Sequence, residues 1–279
     1  MNPDAFQQQE LTYMDIPLLN RVDSSVTAGF TLMDGGFSNG SYAELNMGLH
    51  VGDDPLAVQK NRNKLAEQLS MPLEQWVFAD QVHDSIIYKA GSDDKGKGTL
   101  DYSTAIKGTD GLYTKEKNIM LALCFADCVP LFFFEKQQKL VGTAHAGWKG
   151  TVKNIAGRMV QEWTEKEQAD PDRIIAVIGP SIGPCCYTVD SRVMDHVYSQ
   201  NAAEPDKIYS EIKKGQFSLD LKELNRQLLI KAGLKDENIH VSSYCTGCES
   251  DLFFSHRRDN GKTGRMISFV GMKEEADTI

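Results

Sequence analysis

Three short segments place polar, metal-competent side chains where apolar runs stop. They are Ala79-Asp80-Gln81-Val82-His83, Phe125-Ala126-Asp127-Cys128-Val129-Pro130 and Thr143-Ala144-His145-Ala146-Gly147-Trp148-Lys149-Gly150. His83, Cys128 and His145 would together supply two imidazoles and one thiolate. Three protein ligands leave the fourth tetrahedral position open to water or substrate, which is the arrangement of catalytic rather than structural zinc. The long sequence separations do not prove such a site. One alternative is three core residues, with Cys128 an inert small hydrophobe. Another is a cysteine hydrolase in which Cys128 attacks and His145 takes the proton. A third is a closed metal site with no catalysis.

Cationic groups cluster near these segments. Lys149 follows a Gly-Trp pair just before a helix expected from about Thr151, and helix N-termini bind anions through unpaired N–H groups. The segment Phe253 to Arg265 carries Arg257, Arg258 and Arg265 between apolar runs, and a bidentate arginine suits phosphate or carboxylate. Arg62, Lys149, Arg257 and Arg258 are therefore the candidate anion ligands. Each has a bland alternative: a snorkelling or salt-bridged Arg62, a solvated Lys149, and a basic surface loop. Asp127, beside Cys128, is a candidate proton shuttle or a turn cap. Cys185, Cys186, Cys245 and Cys248 invite a four-thiolate or redox reading. Adjacent cysteines on a strand point to opposite faces, however, so they are poor tetrahedral partners. His50, His196 and His240 carry no local constellation.

Regular elements must hold these residues in place. A helix is expected over about Pro55 to Leu69, with Asp53 or Asp54 as its cap and Pro55 in its first turn. Strands are expected over Trp76 to Val82, Met120 to Phe125, Leu131 to Phe134, Leu140 to Ala144, Ile174 to Ile178, Ile239 to Tyr244 and Met266 to Val270. Helical spacing recurs over Val152 to Trp163. A helix over about Leu221 to Ala232 has a capping-box-like Asp220 and Glu223, and Gly233 as its stop. Strands and helices mix without strict alternation, which favours an α+β layered sandwich over a doubly wound sheet. No Gly-x-Gly-x-x-Gly opens a helix, so a dinucleotide fold is not expected.

The 279 residues read as a single domain, 1–279, with a polar N-terminal segment over about residues 1–25. The composition is that of a globular protein, 41% hydrophobic and 25% charged. A net charge of -9 argues against general binding to nucleic acid or to anionic membranes. Residues 1–10 hold no apolar signal segment, and no apolar run reaches the roughly 20 residues of a spanning helix, so a cytoplasmic location is expected. In that compartment the six cysteines are expected to be free thiols. No interface pattern stands out, and oligomeric state is not read.

The blocks Leu45-Asn46-Met47-Gly48, Asn61-Arg62, Gln81-Val82-His83, Thr109-Asp110-Gly111, Ala126-Asp127-Cys128-Val129-Pro130, Ala144 to Gly150, Gly179 to Tyr187 and Phe254 to Asp259 follow one another in a fixed order. With these blocks the chain closely resembles a family known both as multicopper polyphenol oxidase (laccase-domain) proteins and as purine nucleoside phosphorylases with adenosine deaminase activity. The resemblance implies an α/β/β/α sandwich and a metal on His83, Cys128 and His145. It also implies purine nucleosides and phosphate as substrates: adenosine, inosine, guanosine and methylthioadenosine would be cleaved to free base and (methylthio)ribose 1-phosphate, and adenosine would be deaminated to inosine. Lys149 stands where the family often has arginine, which weakens bidentate anion binding there. The oxidase label fits poorly, since the chain has only six His, too few for a multicopper cluster. Zinc is the expected metal, with copper able to compete in vitro.

Overall fold

The computed structural model describes residues 4–274. Two six-stranded mixed sheets form its centre. In the first, the strand Ile119–Phe125 lies between Met266–Met272, antiparallel, and Trp76–Phe78, parallel. In the second, Val129–Glu135 pairs antiparallel with both Leu140–Ala146 and Ile175–Ile178. These strands are buried along their whole length, as expected when both faces of a sheet are covered.

Side-chain alternation divides the interior into three layers. Leu121, Leu123 and Phe125 of the first sheet meet Phe132, Phe134 and Val141 of the second between the sheets. On the opposite face, Met120 and Ala122 pack with Leu65, Ala66 and Leu69 around the helix Pro55–Gln68. Leu131 and Phe133 face the helices Ile155–Glu167 and Leu221–Lys231 through Met159, Trp163, Leu224 and Leu228. The order is helix, sheet, sheet, helix: an α+β sandwich of α/β/β/α type, as expected. No helix among the described residues is long and apolar enough to cross a membrane.

Several boundaries differ from expectation. The segment read as a polar N-terminus falls partly on residues 1–3, outside the described part. From Phe6 onward it adds strands Gln7–Gln8 and Tyr13–Asp15 and the helix Pro17–Val22, burying Phe6, Met14, Ile16 and Leu19. Leu140–Ala146 runs two residues further than expected, carrying His145 inside the strand. The helix expected near Thr151 begins at Trp148, breaks at Asn154 (φ 60°) and resumes at Ile155. A small antiparallel sheet of Thr188–Asp190, Tyr209–Lys213 and Gln216–Leu219 was not anticipated.

Arg62 is corrected from anion ligand to scaffold. It is buried, and its guanidinium donates to the carbonyls of Met47 (2.6 and 2.9 Å), Gly98 (2.6 Å) and Thr99 (2.8 Å) while stacking 3.8 Å from the Phe78 ring. Four of its five N–H groups are taken by these carbonyls, which tie two loops to the helix. Lysine cannot reproduce this planar fork. Arg62→Lys should lower stability by about 2 kcal/mol through lost charged hydrogen bonds, yet leave phosphate KM unchanged in the folded fraction. Urea unfolding alongside steady-state kinetics checks both; a raised phosphate KM with unchanged stability would return Arg62 to the site.

Candidate active site

The chain crosses between the two sheets at one end of the sandwich, and the candidate site is built from those crossings. Residues 126–128 join Ile119–Phe125 of the first sheet to Val129–Glu135 of the second, placing Cys128 in the gap. His83 lies on the second crossing, between Trp76–Phe78 and Ile87–Lys89. His145 projects from Leu140–Ala146, where it pairs in register with Pro130. One metal-binding atom from each of His83, Cys128 and His145 lies within 4.8 Å of the other two. His145 is buried, Cys128 half-buried and His83 exposed, so the group opens on one side.

The backbone is shaped to bring these groups together. His83 and Asp127 both adopt left-handed conformations, φ 59° and 84°, which non-glycine residues rarely take without a compensating environment. Gly147 permits the closest approach: a Cβ there would lie 2.8 Å from Cys128 Sγ.

Asp110 supplies that environment around His83, and local sequence reading missed it. Its fully buried carboxylate accepts from the backbone N–H groups of Val82 (3.1 Å), His83 (3.0 Å) and Asp84 (2.9 Å). It also meets His145 Nδ1 at 2.9 Å. Burial opposes its charge, but these hydrogen bonds, led by His145, hold its pKa below the usual carboxylate range. With Nδ1 engaged, Nε2 of His145 is the nitrogen left for a metal, the usual outer-shell arrangement for a ligating histidine.

In the metal-free chain Cys128 and His145 form an ion pair. Burial would raise the thiol pKa, but the His145 charge and hydrogen bonds from His145 and His83 bring it down to about 6. Burial would lower the imidazole pKa, but Cys128 and Asp110 raise it to about 9. Metal ligation requires thiolate and neutral imidazole. Between about pH 6 and 9 the pair holds one proton that any metal bound here would displace, so affinity for an added divalent ion such as zinc should rise tenfold per pH unit. Below 6 both groups are protonated and the dependence steepens; above 9 it flattens. Chelator competition across this range reads the slope, and a flat profile between about 6 and 9 would contradict the ion pair.

The cluster opens into a cavity of about 400 Å³, within the range of small-ligand sites. Its wall includes His50, Tyr187, His256, Arg257 and Arg265. A second cavity of about 310 Å³ also borders the cluster and includes Lys149, Trp148 and Tyr187. Arg257 packs over the Tyr187 ring at 5.0 Å and donates Nη1 to Thr188 O. Arg265 donates Nη1 to the carbonyls of Thr263 and Gly264.

The remaining expectations separate. Arg258 is corrected to a loop brace: its guanidinium contacts Asp259 and the carbonyls of Thr246 and Phe253, and it does not line either cavity. Asp127 lines both cavities, with Oδ1 accepting from the Thr246 hydroxyl and Oδ2 from Arg257 N–H, each at 2.7 Å. Lys149 is exposed and borders only the second cavity. Arg265 and His50, passed over as ligand candidates, line the first.

A family model described as "Multi-copper polyphenol oxidoreductase laccase" matches residues 27–273. The chain is 54% identical over 264 residues to "Purine nucleoside phosphorylase YlmD" of Bacillus subtilis, covering 95% of each chain. It is 34% identical to "Purine nucleoside phosphorylase" of Staphylococcus epidermidis, covering 90% of this chain and 93% of that one. The crystal structure of YlmD from Geobacillus stearothermophilus superposes with a TM-score of 0.94 at 49% identity, over 98% of this chain and 100% of that one.

Proposed function

The chain belongs to the multi-copper polyphenol oxidoreductase laccase family, and from that premise we propose that it acts on purine nucleosides rather than on phenols. The carrying observation is the two-imidazole, one-thiolate group opening on a nucleoside-sized cavity with arginines in its wall. The naming of relatives as purine nucleoside phosphorylases supports the same reading. In phosphorolysis a phosphate oxygen bonds to C1′, the N-glycosidic bond breaks, and the purine leaves with a proton, giving free base and ribose 1-phosphate. The substrate range is adenosine, inosine, guanosine and methylthioadenosine. The same site exchanges water for ammonia at C6 of adenosine, giving inosine.

Each residue has a role within this scheme. His83, Cys128 and His145 hold zinc. The chain offers three donors, one open side and a buried carboxylate that fixes the tautomer, and no thioether lines the cavity as a copper axial ligand would. When bound, zinc supplies a Lewis acid and lowers the pKa of coordinated water. Arg257 and Arg265 face the phosphate, and Lys149 adds positive charge from the second cavity. Tyr187 and Trp148 offer flat surfaces to the purine. Asp127, with both oxygens engaged, holds the Arg257 backbone and acts as a positioning residue.

The test is direct. Protein of known metal content is incubated with adenosine or inosine, with and without phosphate, and products are read by mass spectrometry. Expected are phosphate-dependent base and ribose 1-phosphate, and phosphate-independent inosine from adenosine. No turnover in folded, zinc-loaded protein would overturn the reading. The Cys128–His145 ion pair favours a second reading, a cysteine hydrolase, since a thiolate beside an imidazolium is an activated nucleophile. Iodoacetamide distinguishes them: zinc-loaded protein should resist alkylation at Cys128, whereas a cysteine hydrolase should lose activity to it quickly.

A further inference from the structure

The second group of metal-competent side chains lies outside the nucleoside site. Cys185, Cys186, Cys245 and Cys248 bring their four sulfurs within 4.8 Å of one another. The expectation that adjacent cysteines diverge assumed a strand; Pro184, Cys185 and Cys186 form a turn, and the alternation rule does not apply. Cys245 to Cys248 forms a second turn, with Cys248 N–H donating to Cys245 O at 3.1 Å. The turns are joined by a bridge between Ser181 and Cys245.

From this geometry we propose a mononuclear zinc ion bound by the four thiolates of Cys185, Cys186, Cys245 and Cys248, a structural site that clasps two loops of the substrate cavity. The sulfur spacings carry the assignment. Cys185 lies 3.5 Å from Cys245 and 3.4 Å from Cys248, and Cys186 lies 3.4 Å from Cys248. A tetrahedron with zinc–sulfur bonds of about 2.3 Å has sulfur–sulfur edges of about 3.8 Å. A disulfide needs one pair at about 2.05 Å. Here Cys248 is equidistant from two partners and Cys185 touches two, so no pair is singled out. The mutual limit of 4.8 Å leaves room for one ion and not for an iron–sulfur cluster.

The surroundings suit four converging sulfurs. Gly183 N–H donates to Cys245 Sγ at 3.1 Å. A Cβ on Gly247 would lie 2.8 Å from Cys186 Cβ and 3.0 Å from its sulfur, so only glycine lets this turn approach the other.

The clasp reaches the nucleoside site through covalent neighbours. Tyr187 follows Cys186 and lines both cavities. Thr246, between two of the cysteines, donates to Asp127, and Ile182 N–H donates to Asp127 O at 2.9 Å. Zinc binding here closes no catalytic position; it fixes the wall against which a substrate lies.

The experiment counts metal by elemental mass spectrometry in full-length protein purified under reductant. Cys128→Ala removes the first site, so any zinc that remains reports on the four cysteines. Expected are two zinc ions in the unmodified chain, one in Cys128→Ala, one in Cys185→Ser/Cys248→Ser, and none in the triple variant. Cobalt added to Cys128→Ala should give thiolate-to-cobalt charge-transfer bands. A Cys128→Ala protein that holds no zinc when offered it, with four thiols reacting at once, overturns the proposal. So does iron in place of zinc, or a mass deficit of one hydrogen per thiol from disulfides. If Cys185→Ser/Cys248→Ser does not fold, the count and cobalt spectrum of Cys128→Ala still decide. Because that variant lacks the first site, the outcome is independent of whether the nucleoside reading holds.

Discussion

Replacing Cys128 by alanine should lower kcat/KM for inosine phosphorolysis by at least about a thousandfold, about 4 kcal/mol of transition-state stabilisation, with little change in melting temperature. The asymmetry follows from where Cys128 sits. It is half-buried at the edge of the intersheet layer, so removing its sulfur leaves a small gap open to the cavity. Its chemical role has no substitute. His83 and His145 alone give two imidazoles, and Cys124, which also lines the cavity, is not among the atoms that gather within 4.8 Å. Loss of the thiolate also removes the largest of the charges that raise the His145 pKa, leaving Asp110 alone to hold the imidazole proton. Adenosine deamination should fall by a comparable factor if one site performs both reactions. Deamination that survives in Cys128→Ala would separate the two activities. Full phosphorolysis in a variant shown to hold no metal at this site would remove the cluster from the mechanism altogether.

What local sequence could reveal was governed by whether a residue's partners are near it in the chain. The helix Pro55–Gln68 was legible because its cap is local: the Asp54 side chain accepts from Leu56 N–H, and Pro55 opens the first turn. The long strands were legible because each is a continuous apolar run. The three candidate ligands stood out as polar interruptions of such runs; His83 and Cys128 fall where the chain passes from sheet to sheet, whereas His145 lies inside a strand of the second sheet. Charge alone misled for Arg62 and Arg258, since a guanidinium serves carbonyls and phosphates through the same donors. The strand end at Ala144 was misread for a related reason. A histidine looks like the end of a buried strand until Asp110, 35 residues earlier, is found holding it. Asp110 itself lay in a glycine-flanked loop, and its four donors come from segments far from it in sequence. The turn holding Cys185 and Cys186 was hidden by the strand rule, although Gly183 and Pro184 mark it.

Asp110→Asn tests that hidden residue, and its effect should reach both the fold and the metal. The two carboxylate oxygens receive four donors: Oδ1 faces His83 N–H and His145 Nδ1, and Oδ2 faces Val82 and Asp84 N–H. An asparagine amide has one oxygen, so one edge must turn an N–H pair toward donors. If that edge meets His145, the ring keeps its proton on Nε2, the nitrogen a metal needs. If it meets Val82 and Asp84, the loop carrying His83 loses its anchor. In either orientation zinc affinity at the first site should fall about 10- to 100-fold. Removing a buried partner should also cost about 3 kcal/mol of stability. The stability difference carries its own signature. Because the folded-state pKa of Asp110 is depressed, its contribution is present above the unfolded carboxylate pKa and is lost as pH falls through the folded value. Native protein and variant should therefore converge in acid. Chelator competition, nitrogen-15 shifts of the His145 ring and unfolding at several pH values read the three consequences separately. A destabilised variant with unaltered zinc affinity and unaltered tautomer would reduce Asp110 to a loop anchor. A shifted tautomer with weakened zinc would establish that the carboxylate chooses which nitrogen of His145 faces the cavity.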